Sequence, residues 1–426
     1  MVILGVVVFT VLFAIGSPIF VALGAGGLII ILFHSGLSIN QPALLFFESI
    51  NSFVLLAVPL FILAGNIMVR GGISKPLIEL FASFTARLPG GLAVAAIIAS
   101  TFVGALTGST NATLAMVGLV MFPAMMEAKY DRGYSGGVLC ASCSLGYLIP
   151  PSIMFILFGY LTETSVARLF MAGIMPGLLL AVLLSVTAIF IARGKKFAPA
   201  PSPDWKERVS LLVKALPAIF MPVIILGGIY SGIFTPTEAG GVACVYGLLV
   251  GAFVYRGLNW KSSRACLTNT AELTGRILVI ITAGMLLGKG FMLAGFPTAI
   301  SNAIIGAGLG PMAFLLLVIL AFLLLGMIME PAVIIFVLIP LVWKSAMALG
   351  VDPFHLGAVF CISVLVAGIT PPVAYTLFFT SSILDVPIEE LMRGVLPFLG
   401  AMIVAMVIIT LFPEISTWLP STMLGG

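Results

Sequence analysis

The sequence predicts an all-α polytopic membrane protein built from two inverted repeats. Three observations carry that prediction. First, the 426-residue chain is 61% hydrophobic and only 8% charged, with a mean hydropathy of +1.28. Apolar runs long enough to span a bilayer produce such a composition; a soluble domain does not. Second, two apolar stretches are interrupted by Pro-Pro pairs among small polar residues. One contains Gly146, Pro150, Pro151 and Ser152, the other Gly368, Thr370, Pro371 and Pro372, with Pro150 and Pro371 standing 221 positions apart. Proline removes a backbone donor and clashes with the preceding turn, so each pair breaks a helix. A broken helix at membrane depth persists only where protein buries it or where it lines a wet cavity. Third, the register extends along the chain. Gly173 matches Gly394 and Pro176 matches Pro397 at the same offset, and Ser17-Pro18 matches Thr235-Pro236 at 218. With a small shift, Gly65-Asn66 and Gly72 match Gly288-Lys289 and Gly295. Paired breaks in corresponding halves point to a binding site at a transporter's repeat interface.

The first repeat covers 1–196 and the second 215–426, joined by a linker over 197–214 whose Pro-rich start is the clearest turn signal in the chain. Each repeat opens with apolar spans, at 2–34 and 47–69 and then at 215–233, 236–256 and 266–293. The first 33 residues lack a basic n-region and read as a mature helix rather than a secretory signal. Whether 2–34 makes one span or two, split at Gly16-Ser17-Pro18, stays open at this level. An amphipathic arm follows at 73–88 and again at 296–310. Next come apolar runs bent in the middle, 91–126 and 311–343. At about 1.5 Å per residue each is long enough for two half-helices that turn back within the bilayer; a single over-long tilted helix is the rival. The Pro-Pro-broken helices are 134–162 and 354–384, and plain spans at 167–193 and 389–417 close the repeats.

Charge sets the orientation. Six of the 19 Lys and Arg lie in Arg193–Lys214, and others cluster at Arg70/Lys75/Arg87, Lys129/Arg132 and Arg256/Lys261/Arg264. The positive-inside rule assigns these segments, the linker included, to the cytoplasm. The arm at 73–88 then falls inside and the uncharged arm at 296–310 outside, which is what inverted repeats require. The net charge of +4 thus has a topological origin, and nothing in it marks a nucleic-acid partner.

The residues able to do chemistry cluster at the bends. The first bend carries Thr107, Ser109, Thr110, Asn111 and Thr113 inside an apolar run. Such groups are costly there unless satisfied. Hydroxyls and freed carbonyls at a half-helix end suit a dehydrated Na⁺, and half-helix N-termini suit a carboxylate; a polar helix contact is the plainer alternative. Thr107, Ser109, Thr110 and Ser152 are therefore candidate substrate contacts. The second bend, Gly326-Met-Ile-Met329-Glu330-Pro331, is less polar but carries an acid, a functional candidate by default at membrane depth unless it sits in a solvated tip. Lys289, in the last turns of its span, either pairs with an anionic substrate or snorkels to the interface. Thr235-Pro236-Thr237-Glu238 reads as a helix N-terminal cap.

Other classes are poorly served. Cys140 and Cys143 form a CxxC without two further nearby ligands for zinc, and read as helix-packing residues. An intramembrane hydrolase needs a base, and the chain offers only His34, at a helix end, and His355, expected in a loop. No GxxxxGK[ST] loop is present for an ATP-driven pump. Ten-residue strands of alternating polarity, as in an outer-membrane barrel, are absent.

Three strings carry a family resemblance: GGIYSGIFTPTEAGGVA (227–243), IPPSIMFILFGYLTETSVARLFMAGIMPG (149–177) and AGITPPVAY (367–375). Through them the chain resembles, over essentially its whole length, the large membrane subunit of tripartite ATP-independent periplasmic (TRAP) transporters, the DctM/SiaM type. The resemblance implies no enzyme but a Na⁺-driven secondary transporter in the bacterial inner membrane, an elevator-type member of the ion transporter superfamily. It implies two partners: a small four-helix membrane subunit and a periplasmic substrate-binding protein. It also implies Na⁺ sites between hairpin tips and broken helices. One maps onto Ser109, Asn111, Gly146 and Pro150, the other onto Gly326, Met329, Gly368 and Thr370. The substrate implied is an organic acid, sialic acid favoured and a C4-dicarboxylate next; a stand-alone Na⁺/dicarboxylate symporter of related fold is the alternative.

Overall fold

A computed structural model describes residues 2–34, 40–195, 197, 203–371 and 374–423. The described residues form helices and the turns between them, with no strand. The first half contains α1 (Val2–Ala14), α2 (Ile19–His34), α3 (Asn40–Glu48), α4 (Ala57–Arg70), α5 (Ser74–Thr85), α6 (Gly91–Thr107), α7 (Thr110–Thr113), α8 (Leu119–Glu127), α9 (Arg132–Cys143), α10 (Ile153–Thr162) and α11 (Val166–Arg193). The second half contains α12 (Trp205–Tyr230), α13 (Pro236–Leu249), α14 (Trp260–Leu293), α15 (Phe296–Gly306), α16 (Pro311–Gly326), α17 (Pro331–Ala348), α18 (Pro353–Ile369), α19 (Tyr375–Leu384), α20 (Ile388–Leu411) and α21 (Glu414–Met423).

Six of these are long and apolar enough to cross a bilayer: α11, α12, α13 with its π turn to Val254, α14, α17 and α20. The 2–34 stretch is two helices, not one. At 13 and 16 residues, α1 and α2 are about 20 and 24 Å long, short of a hydrocarbon core of about 30 Å. They fold back on each other, with Gly5 against Gly26 and Ile30. The expected 47–69 span is likewise divided. Its polar stretch Glu48–Ser52 ends α3, where the Ser49 hydroxyl donates to the Phe46 carbonyl at 2.9 Å, and α4 begins at Ala57. Helices α4 and α5 meet at a 70° bend.

Two boundaries differ from the sequence expectation. Helix α12 starts at Trp205, inside the stretch expected as linker, because Asp204 takes the extended N-cap conformation and Glu207 sits in the positive first turn; residues 198–202 of that linker lie outside the described residues. His355 is in the first turn of α18 rather than in a loop. Asp352 caps the helix by accepting from the Phe354 and His355 amides at 2.8 and 2.9 Å, ahead of Pro353 at the first helical position. The Thr235-to-Glu238 cap is a complete capping box.

Ties between loops sort the two ends of the molecule. Asp131 pairs with Lys195, and the Arg132 guanidinium lies 3.7 Å from the Asp385 carboxylate, at the basic end. At the opposite end His355 Nδ1 meets the Ser416 hydroxyl at 2.9 Å, and the Tyr160 hydroxyl donates to the Ser49 carbonyl at 2.6 Å. Helices pack through small residues, as bundles in lipid do. A Cβ on Gly394 would lie 1.8 Å from the Gly133 carbonyl oxygen of α9, and one on Gly27 would lie 2.6 Å from the backbone of α14.

Candidate functional site

The first bend and the first Pro-Pro break meet in the interior. Helix α6 stops at Gly108, whose φ of +59° is a left-handed cap that favours glycine. A Cβ there would also lie 2.8 Å from the Pro151 carbonyl. Ser109 is extended, α7 starts at Thr110, and the returning arm packs on α6. Three oxygens converge at the bend. The Thr113 hydroxyl lies 2.9 Å from that of Thr107 and donates to the Ser109 carbonyl at 2.8 Å, and the Thr107 hydroxyl reaches the same carbonyl at 3.2 Å. Gly146 caps this cluster. A Cβ on Gly146 would stand 3.0 Å from the Thr113 hydroxyl and 3.2 Å from the Ser109 carbonyl, and one on Gly104 would stand 2.8 Å from the Gly146 Cα. On the break itself, Pro150 precedes Pro151 through a cis bond, and the buried Ser152 donates its hydroxyl to the Tyr147 carbonyl while starting α10. So Thr107, Ser109, Gly146, Pro150 and Ser152 share one neighbourhood.

Two atoms of this bend are orphaned. Thr110 Oγ1 and Asn111 Oδ1 are buried and find no hydrogen-bond partner among the described residues. Native interiors rarely leave such groups unpaired, so each needs an explanation, and an absent ion or ligand is one. A cluster of hydroxyl, carbonyl and amide oxygens is the donor set a hard cation takes, so these residues fit Na⁺.

The second bend meets the second break in the same way with different chemistry. Gly326 ends α16, and a Cβ there would lie 2.5 Å from that of Ala367 on α18. The Ala374 amide donates to the Met327 carbonyl at 3.2 Å. Ala374 holds φ +50°, a left-handed conformation that costs a non-glycine residue about 1–2 kcal/mol. Such strain concentrates at functional sites. The side-chain oxygens here are mostly committed. The Thr370 hydroxyl donates to the Val366 carbonyl at 2.6 Å, and Gly368 packs on the Thr376 hydroxyl. Met329 is buried, its amide bonded to the Leu325 carbonyl at 2.8 Å. Pro371 stands at the break; Pro372 lies outside the described residues. Glu330 takes an extended N-cap conformation before α17 without a capping bond and is exposed.

A side-chain bond joins the first bend to the second break: Asn111 Nδ2 donates to the Tyr375 hydroxyl at 2.7 Å. Glu330 lies within electrostatic range of Tyr375 and Tyr147. Arg276, midway along α14, acts on Glu330 in turn. Arg276 and Tyr375 are not among the residues that the sequence singles out. An arginine in the middle of a 34-residue spanning helix is the signal that would mark the first. Nothing in the sequence marks Tyr375 as the partner of Asn111, 264 positions away. Lys289 is not at the bends. It is about 20 Å further along α14 than Arg276 and lines a separate cavity.

The family pattern described as "Tripartite ATP-independent periplasmic transporter, DctM component" matches residues 6–415. A C4-dicarboxylate TRAP transporter large permease protein DctM of Pseudomonas aeruginosa is 39% identical over 400 residues, 94% of either chain. A sialic acid TRAP transporter large permease protein SiaM of Vibrio cholerae is 32% identical over 410 residues, 96% of either chain. Among solved structures, the YdaH transporter of Alcanivorax borkumensis superposes with a TM-score of 0.61 over 98% of this chain and 99% of its own. At 16% identity that likeness concerns the fold alone.

Proposed function

This chain belongs to the family of tripartite ATP-independent periplasmic transporters as its large membrane subunit, and from that premise we propose Na⁺-coupled uptake of a small organic acid across the bacterial inner membrane. The two halves act as inverted repeats, and the helix pairs α6–α8 and α16–α17 act as re-entrant hairpins. The transport step is an elevator movement of the hairpins and broken helices past α12–α14. The partners are a small four-helix membrane subunit and a periplasmic binding protein that delivers the acid.

The observation that carries this reading is the Asn111–Tyr375 bond beside two orphaned oxygens. It brings both bends and both breaks to one polar locus inside an otherwise apolar bundle, where cation and substrate sites of inverted-repeat transporters lie. Thr107, Ser109, Thr113 and Asn111 supply the first cation site with Gly146 and Pro150 behind them. The second rests on backbone at Gly326, Met329, Gly368 and Thr370. Thr110, Ser152, Glu330 and Arg276 surround the space for the anion. The substrate class is an organic anion. Of the acids in the two relatives' names, the higher identity, 39% against 32%, goes with the C4-dicarboxylate protein rather than the sialic acid protein.

The test is uptake of a labelled organic acid by proteoliposomes holding this chain and its small subunit, with the binding protein added outside. Uptake is expected to need both the binding protein and an inward Na⁺ gradient. Uptake without the binding protein would favour the stand-alone symporter, and indifference to the gradient would remove the Na⁺ coupling.

A further inference from the structure

One cavity lies away from the bends. It has a volume of about 540 Å³ and lies at the end of the molecule opposite the basic loops. Three spans, α12, α13 and α14 itself, lie between the basic Arg193–Lys214 segment and that end of α14, so the positive-inside rule puts the cavity on the periplasmic side. Its walls come from both parts of the structure. Lys289 and Thr298 stand on α14 and α15, Glu48 on α3, Tyr160 on α10, and Trp343 and Lys344 on α17. The Lys344 ammonium donates to the Thr298 hydroxyl at 2.8 Å, which draws α17 and α15 together across the cavity. No carboxylate lies within ion-pair distance of either lysine among the described residues.

We propose that this cavity is an outer reception site for a small organic anion, which the Lys289 and Lys344 ammoniums hold by its carboxylate against the Trp343 ring before it reaches the bends. The proposal rests on the uptake reading above for its physiological meaning, not for its chemistry. Two ammoniums offer charge-assisted hydrogen bonds to a carboxylate, and the indole offers an apolar surface with a polar edge. Glu48 on the same lining leaves one net positive charge. That attracts an anion without compensating a second negative charge, which suits a site that must release what it receives. Lysine's flexible point charge serves the same end, since it lacks the fixed bidentate grip of arginine.

The chain has four tryptophans, and Trp205, Trp260 and Trp418 are exposed. Replacing these three by Phe, together with any tryptophan of the small subunit, leaves Trp343 as the only indole of the sample. The complex is placed in phosphatidylcholine nanodiscs without any ion gradient and titrated with trichloroacetate, an anionic quencher, and separately with trichloroethanol, its neutral counterpart. Trichloroacetate is expected to quench Trp343 saturably and trichloroethanol only in proportion to concentration. In Lys289→Gln/Lys344→Gln the saturable phase should weaken by about tenfold or more, whereas Lys344→Arg should keep it. Proportional quenching by both probes, or saturable quenching unchanged by the double substitution, overturns the proposal. So does saturable quenching by brominated phosphatidylglycerol but not by trichloroacetate, which would make this a lipid-headgroup site. Because no transport is measured, failure here leaves Na⁺-driven uptake untouched, and loss of Na⁺ coupling leaves this binding result standing.

Discussion

The two bends are seated alike and equipped differently. Each rests a glycine on the facing broken helix: Gly104 on Gly146, and Gly326 on Ala367. Yet the first bend gathers three oxygens and leaves two more orphaned, whereas the second presents Glu330 and faces a break whose Thr370 hydroxyl is spent on a local carbonyl. The two bends therefore resemble each other more in backbone shape than in side-chain chemistry. The difference is one of chemistry: side-chain oxygens converge at the first bend, while the second offers backbone and a charge.

The shared seating gives the largest expected effects. Gly104→Ala would drive a Cβ to 2.8 Å from the Gly146 Cα, and Gly326→Ala to 2.5 Å from the Ala367 Cβ. Overpacking of this kind costs about 1–3 kcal/mol. Both variants should therefore lose thermal stability by similar amounts in detergent. A tolerated Gly326→Ala beside a damaging Gly104→Ala would mean that the second bend is not held as the first is.

The charged half gives the next effect. Glu330→Gln and Arg276→Gln should each weaken uptake, and a double-mutant cycle on half-saturating substrate concentration should show a coupling of at least about 0.5 kcal/mol. Strict additivity would separate the two residues and leave the second bend without its electrostatic role. The smallest effect concerns the bond between the first bend and the second break. Asn111→Ala and Tyr375→Phe should each lower stability by about 1 kcal/mol, and the double variant should be little worse than either one. A double variant that loses the full sum would show that the bond does not couple the halves.

Much of this was legible in the sequence. Proline chemistry located both breaks, the glycine and hydroxyl run located the first bend, and Glu330-Pro331 located the second. What stayed hidden has physical causes. The division of 2–34 into two helices turns on packing between Gly5 and Gly26, since one apolar run serves either outcome. The α12 start was obscured because Pro-rich composition looks like linker, while Asp204 and Glu207 start a helix in spite of it. Lys289 matched Asn66 in register, yet Asn66 binds the Thr270 hydroxyl at 3.0 Å whereas Lys289 opens into a cavity. Register is conserved by the backbone; a side chain's company is set by helices distant in sequence.

The central claim is that the first bend's oxygen cluster holds Na⁺ through side chains and the second bend does not. Its most direct test is the unfolding temperature of the purified complex in NaCl and in choline chloride at equal ionic strength. A ligand that binds only the folded state raises that temperature. Na⁺ is expected to stabilise the wild type and Thr370→Val, whereas Thr107→Val/Thr113→Val should lose most of the Na⁺-specific shift. An undiminished shift in Thr107→Val/Thr113→Val, or its loss in Thr370→Val instead, would contradict that claim.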